Sequence, residues 1–298
     1  MTVSPWIWLV LCIVIVSLLA LDLVVFGRGS APPTLRRSLG WSLGWTALGA
    51  AFAVVLGAWQ GAQPAEEYLA GFLIEKSLSM DNVFVFALLF SSLGIPLALR
   101  RRVLFFGIVA AIVLRAVFIV AGAAILDAFH AALYVFGAFL VLTGVKMALQ
   151  KEHQVDPAQS KTLRLLGRIV PLSTEYDGDR LVTRRDNRLV ATPLVAAFVL
   201  IAVFDIIFAV DSIPAIFAIT SDTFVVFAAN AFSLLGLASL YFALDGMADR
   251  FRYLKTGLAA ILVVIGAKML ATDLWKPPVW MSLTAIVALL ALSVVASL

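Results

Sequence analysis

Charge is scarce in this chain: Asp, Glu, Lys and Arg make up 13% of its 298 residues, about half the share usual in a soluble domain. Hydrophobic residues supply 63% and the mean hydropathy is +1.06, which excludes an ordinary soluble globule and points to a membrane protein. Cysteine is nearly absent. The single Cys12 lies in an apolar run and excludes both an intrachain disulfide and a CxxC metal site. The two histidines, His130 and His153, lack helical ligand spacing and read as loop residues. No basic cluster is interleaved with aromatics, so nucleic acid is excluded as a partner. The opening MTVSPWIWLV has no basic stretch, and no small-x-small cleavage site precedes Asp22. The first apolar run is therefore read as a retained span.

What is present is a succession of nine apolar segments, near 5–26, 38–60, 65–92, 101–126, 129–149, 191–219, 223–244, 253–272 and 278–297. A helix needs about 20 residues to cross the hydrocarbon core, and only helices satisfy their own backbone there in runs this apolar. The expected fold is all-α: a polytopic transmembrane helix bundle of about nine spans. Basic residues mark the cytoplasmic ends. Arg28, Arg36 and Arg37 follow the first span, Arg100 to Arg102 the third, a long basic loop the fifth, and Arg250 and Arg252 the seventh. The N-terminus is placed outside and the C-terminus in the cytoplasm. Residues 150–190 read as a solvated cytoplasmic linker, with room for a short hairpin near Gly178. Trp6, Trp8, Trp275 and Trp280 read as interfacial anchors, and Asp22 as an interfacial residue at the inner end of the first span.

Two acidic motifs break the apolar pattern: EKSLSMDN, Glu75 to Asn82, and FDIIFAVDSIPA around Asp205 and Asp211. Asp205 and Asp211 each lie 130 positions after Glu75 and Asp81 (205 − 75; 211 − 81). TGVKM at Thr143 to Met147 is echoed by IGAKM at Ile265 to Met269, at an offset of 122 (268 − 146). Spans three to five thus match spans six to eight in opposite directions, an inverted repeat of three plus three helices. The domains expected are 1–62, two N-terminal helices; 63–150, the first repeat; 151–190, the linker; 191–272, the second repeat; and 273–298, a last helix.

An acid at the bilayer centre costs about 2.5–3.5 kcal/mol, so four cost about 10 kcal/mol unless compensated. Lys76 and Arg115 are the counterions within reach in sequence. Four acids against two bases leave an excess that a divalent cation would neutralise. The donors, namely the four carboxylates, Asn82, Ser79 and Ser212, are all oxygens, which suit Mn2+, Ca2+ and Mg2+. On a regular helix Glu75, Ser79 and Asn82 share a face that Asp81 does not. Either the helices open near the motifs, with Pro214 favouring a break in the sixth span, or Asp81 and Asp211 face a different neighbour. Glycines at 40, 44, 49, 57 and 137 read as helix-packing positions.

These stretches, with LFFGIVAAIVLRAVFI, YVFGAFLVLTGVKM, ATPL and YLKTGLAAILVVIGAKML, resemble the TerC family of integral membrane proteins over roughly residues 65–272. The family takes its name from tellurite resistance. The resemblance implies a bacterial inner-membrane exporter of Mn2+, not an enzyme, with Mn2+ as cargo rather than bound cofactor. It implies that Glu75, Asp81, Asn82, Asp205, Asp211 and Ser212 form the ion path. Ca2+ and Mg2+ stay open as alternative cargo, and exchange with protons is the expected coupling. The alternative is a non-transporting membrane partner or assembly factor tied to tellurite or metal stress. One departure stands out: the family pattern carries an arginine before SLYF, where this chain has Ala238.

Overall fold

The structure is a computed structural model that describes residues 3–27, 34–129, 131–149, 171–173, 176–178, 180–185, 188–244, 253–271, 273–274 and 278–297. His130, His153, Trp275 and the whole of the 150–170 stretch lie outside these, as do the side chains of Asp81 and Asp211. The described chain is nearly all helical. In order come α1 (Pro5–Gly27), α2 (Leu35–Gln60), α3 (Ala62–Ser92), α4 (Leu97–Ala128) and α5 (Ala132–Leu149). Two short strands follow, β1 (Val182–Arg185) and β2 (Arg188–Ala191). Then come α6 (Pro193–Phe217), α7 (Thr223–Leu234), α8 (Leu237–Leu244), α9 (Leu254–Leu270) and α10 (Val279–Ser297).

Among the described residues, seven helical stretches are long and apolar enough to cross a membrane, with α7 and α8 together forming one of them. Helix α3 is 31 residues long, but Glu66, Glu67, Glu75, Lys76 and Asp81 keep it out of that set. It is nonetheless the central element, packed against α2, α6, α7, α8 and α10. Burial of Tyr68, Phe72, Ile74, Leu89 and Phe90 along its length anchors the core. Glu67, Glu75 and Lys76 of α3 are buried against the neighbouring helices.

Local chemistry explains several boundaries. Pro193 opens α6 at a first-turn position whose missing N–H has no helical partner to lose. Asp222 caps α7, its Oδ1 accepting from the Phe224 and Val225 amides at 2.9 and 3.3 Å. The loop before α6 departs from the all-helical expectation. β1 and β2 pair antiparallel, with Val182 opposite Ala191 and Arg185 opposite Arg188, so the hairpin turns beyond Arg185 rather than at Gly178. Thr192 Oγ1 donates to the Arg180 carbonyl, and Tyr176 Oη donates to the Leu93 carbonyl at 2.8 Å. Tyr176 thus ties the described part of this loop to the α3–α4 turn.

Helix continuity also departs from expectation. Helix α6 runs unbroken through Pro214, which lies one turn before its end, where few ladder bonds remain to be lost. The break falls instead in the seventh span, at Leu235–Gly236. Gly236 adopts φ +73, and a Cβ there would lie 2.7 Å from both Cβ and Cδ1 of Trp45. Gly236→Ala is expected to destabilise the protein by about 2–4 kcal/mol, combining a left-handed backbone penalty with overpacking. Thermal unfolding of the purified variant in detergent checks this, and an unchanged midpoint would contradict the break.

Candidate ion site

Helix α4 brings Arg115 to the middle of the bundle, where it is 1% exposed. Its Nε and Nη2 donate to Asp205 Oδ1 of α6 at 3.3 and 3.1 Å. Its Nη1 donates to Asn230 Oδ1 of α7 at 3.1 Å and forms an ion pair with Glu75 Oε1 of α3. Asn230 in turn donates through Nδ2 to the Val226 carbonyl, which fixes its amide orientation. One guanidinium therefore gathers two carboxylates and an amide from three other helices.

The remaining oxygens of these motifs are less well served. Among the described residues, Glu75 Oε2, Asn82 Oδ1, Asp205 Oδ2 and Ser212 Oγ are buried without a hydrogen-bond partner. Ser79 differs: its hydroxyl donates to the Glu75 carbonyl at 2.7 Å, within its own helix.

Helix register gives the relative heights of these residues. Gly107 of α4 faces Ile201, and Gly122 faces Phe217 and Ile213, so α4 runs parallel to α6. Helix α3 joins α4 through the short link 93–96 and runs antiparallel to both. Gly71 of α3 faces Ile216 of α6, and counting along the antiparallel pair brings Glu75 level with Ser212 and Asn82 level with Asp205. Glu75 and Asp205 thus each share a height with a neutral polar residue, Ser212 and Asn82, on the opposite helix.

Lys76 lies elsewhere. Its Nζ donates to the Ser233 and Leu235 carbonyls at 3.0 and 2.9 Å, at the end of α7, and the carboxylate acting on it is that of Asp22. Asp22 is buried, not interfacial, and its Oδ1 accepts from Trp45 Nε1 at 2.7 Å. The two bases thus serve separate clusters. Among the described residues no three His, Cys, Asp or Glu side chains form a metal-holding group. Asp81 and Asp211, whose side chains lie outside the described set, would have to complete a four-carboxylate site. Asn230 was missed in the sequence, although a lone amide in the apolar run TFVVFAANAFSLL was the available signal.

The family model described as "Integral membrane protein TerC family" matches residues 60–298. The chain belongs to the TerC family. This TerC-family chain is 46% identical over 297 residues to the membrane protein STKORF319 of Myxococcus xanthus, itself uncharacterized, covering 99% of this chain and 92% of that one. It is 42% identical over 299 residues to Alx of Escherichia coli strain K12, named there as a proposed membrane-bound redox modulator, with 97% and 93% covered. A Rickettsia felis membrane protein is 36% identical over 291 residues, with 98% and 97% covered. No solved structure matches.

Proposed function

We propose that this chain is a multi-pass transporter of the bacterial inner membrane that exports Mn2+ through the oxygens between α3 and α6. The observation that carries this reading is the set of unpartnered buried oxygens. With the exception of Ser38 Oγ, every such described side-chain atom belongs to Glu75, Asn82, Asp205 or Ser212. Buried polar groups are normally satisfied, and an orphaned hard-oxygen set in a membrane is a site for a hard cation. Asp81 and Asp211 are assigned to the same path. Arg115 serves as resident counterion, and an arriving cation replaces it at one carboxylate. Four carboxylates against one guanidinium leave three negative charges, so exchange of the metal for protons keeps the emptied site close to neutral.

Nine spans, six of them arranged as two inverted three-helix halves, fit this reading. At the α5–α9 seam a Cβ on Gly144 would lie 2.7 Å from the Ala259 carbonyl, and one on Gly266 would lie 2.7 Å from that of Gly137. The repeat offset of 122 interchanges these two contacts, as a two-fold axis in the membrane plane would require. The N-terminus is assigned outside and the C-terminus inside, from the basic loops. Redox modulation, the role named for the Alx relatives, would be indirect in this chain, since one cysteine supplies no dithiol.

The test is manganese flux in vesicles reconstituted with purified protein. Wild type is expected to move Mn2+ well above protein-free vesicles, and Glu75→Gln and Asp205→Asn are each expected to slow it at least about tenfold, the loss of one charged ligand. Equal flux in wild type and both variants overturns the assignment. Competition by Ca2+ and Mg2+ in the same vesicles ranks the cargo.

A further inference from the structure

The buried cluster of Asp22, Trp45 and Lys76 around the break between α7 and α8 is not used by the transport reading above. Its parts come from four segments. Helix α1 gives the Asp22 carboxylate, α2 the Trp45 indole, α3 the Lys76 ammonium, and the end of α7 two main-chain carbonyls. Asp22, Trp45 and Lys76 are all buried. A helix that stops inside a membrane leaves carbonyl oxygens without amide partners, and such half-helix ends bind small cations. The negative end of the α7 dipole and a nearby carboxylate add to the attraction.

We propose that the α7–α8 break is a monovalent-cation site that this chain fills with its own ammonium. Lys76 Nζ stands where an alkali ion would otherwise bind the Ser233 and Leu235 carbonyls under the charge of Asp22. Three features support a built site rather than an incidental contact. The ammonium makes two good bonds to main-chain oxygens, not to the carboxylate beside it in sequence, Glu75. Gly236 takes the left-handed φ that ends α7 at this point and leaves the space that Trp45, the residue that donates to Asp22, occupies. The adjoining hydroxyls turn away: Ser233 Oγ donates to the Asn230 carbonyl and Ser239 Oγ to the Gly236 carbonyl, leaving the two bound carbonyls to the cation. A covalently tethered cation is never lost by dilution, so the broken helix keeps its shape whatever the alkali ion outside. It also ties the break to α3, the helix that carries Glu75 and Asn82.

The test does not involve manganese, so it stands or falls separately from the transport assignment. Thermal unfolding of the purified full chain is compared in sodium, potassium and N-methylglucamine chlorides at equal ionic strength. Wild type is expected to unfold at one temperature in all three. Lys76→Ala, which removes the charge and leaves room, is expected to unfold several degrees lower in N-methylglucamine and to recover in sodium or potassium, or with added ethylammonium. Lys76→Met removes the charge but keeps the bulk, and is expected to be destabilised with no salt-specific recovery. Should Lys76→Ala not be obtainable folded, the wild-type comparison and Lys76→Met still decide. Alkali-ion stabilisation of wild type overturns the proposal, and so does a Lys76→Met variant as stable as wild type or one rescued by sodium. A folded Lys76→Ala that ignores every small cation overturns it as well.

Discussion

Arg115→Met is expected to produce the largest loss of stability of any single substitution in this chain, about 3–5 kcal/mol. Removing one member of a buried ionic network leaves uncompensated charge, and the desolvation it had been offsetting falls on the partners. Here Asp205 loses both bonds to its Oδ1, Glu75 loses its ion pair, and Asn230 keeps only its own main-chain bond. The check is the unfolding midpoint in detergent together with the folded yield. A second measurement separates structure from function. The triple variant Glu75→Gln, Arg115→Met, Asp205→Asn removes all three charges of this hydrogen-bonded network together, and replacement of a whole buried network is often near neutral for stability. It is expected to recover most of the lost stability while remaining unable to move Mn2+. Arg115→Met as stable as wild type would mean that the guanidinium does not hold these helices together.

The second large effect is expected at the α5–α9 seam. Gly144→Ala places a methyl 2.7 Å from the Ala259 carbonyl and 2.8 Å from Val263 Cγ2; Gly266→Ala places one 2.7 Å from the Gly137 carbonyl and 2.8 Å from the Val141 amide nitrogen. Backbone cannot swing aside as a flexible side chain does, so each methyl pushes the two helices apart along the seam. Overpacking of this kind costs about 1–3 kcal/mol per site. The double variant is expected to lose less than the sum of the two, because one separation relieves both clashes. Gly40→Ala, with nothing within 4 Å of its added methyl, is the control and should leave the midpoint unchanged.

The apolar runs carried the fold into view because membrane helices are dictated by composition over long windows. Each predicted segment has a helix within a few residues of it. Position-specific features were harder to see. Pro214 was the visible helix breaker, yet α6 passes through it. The break at Gly236 depends on Trp45 lying against that glycine, a contact 191 positions away in the chain (236 − 45). Lys76 shows the same limit. Adjacency in sequence suggested Glu75 as its partner, but neighbouring residues on a helix point about 100° apart. Lys76 therefore reaches α7 while Glu75 reaches α4. Asp22 looked interfacial because it sits near the end of its apolar run, and only the fold brings its indole partner, Trp45, against Gly236 at the α7–α8 break. The central role of Arg115 was legible from a lone mid-span base, and what the sequence could not supply was that it would bind both motifs at once.

Arg115 is borne by α4, and at the place in α8 where the resemblance to the TerC family implies a second arginine the chain has Ala238, packed against apolar neighbours. Two halves that trade places during transport would, if matched, leave the gateway equally content facing either way. If the repeat halves exchange as proposed, a solitary guanidinium mounted on one of them would break that indifference. On the transport reading proposed above, one face would then be favoured at rest, and Ala238→Arg is expected to move the balance toward the other.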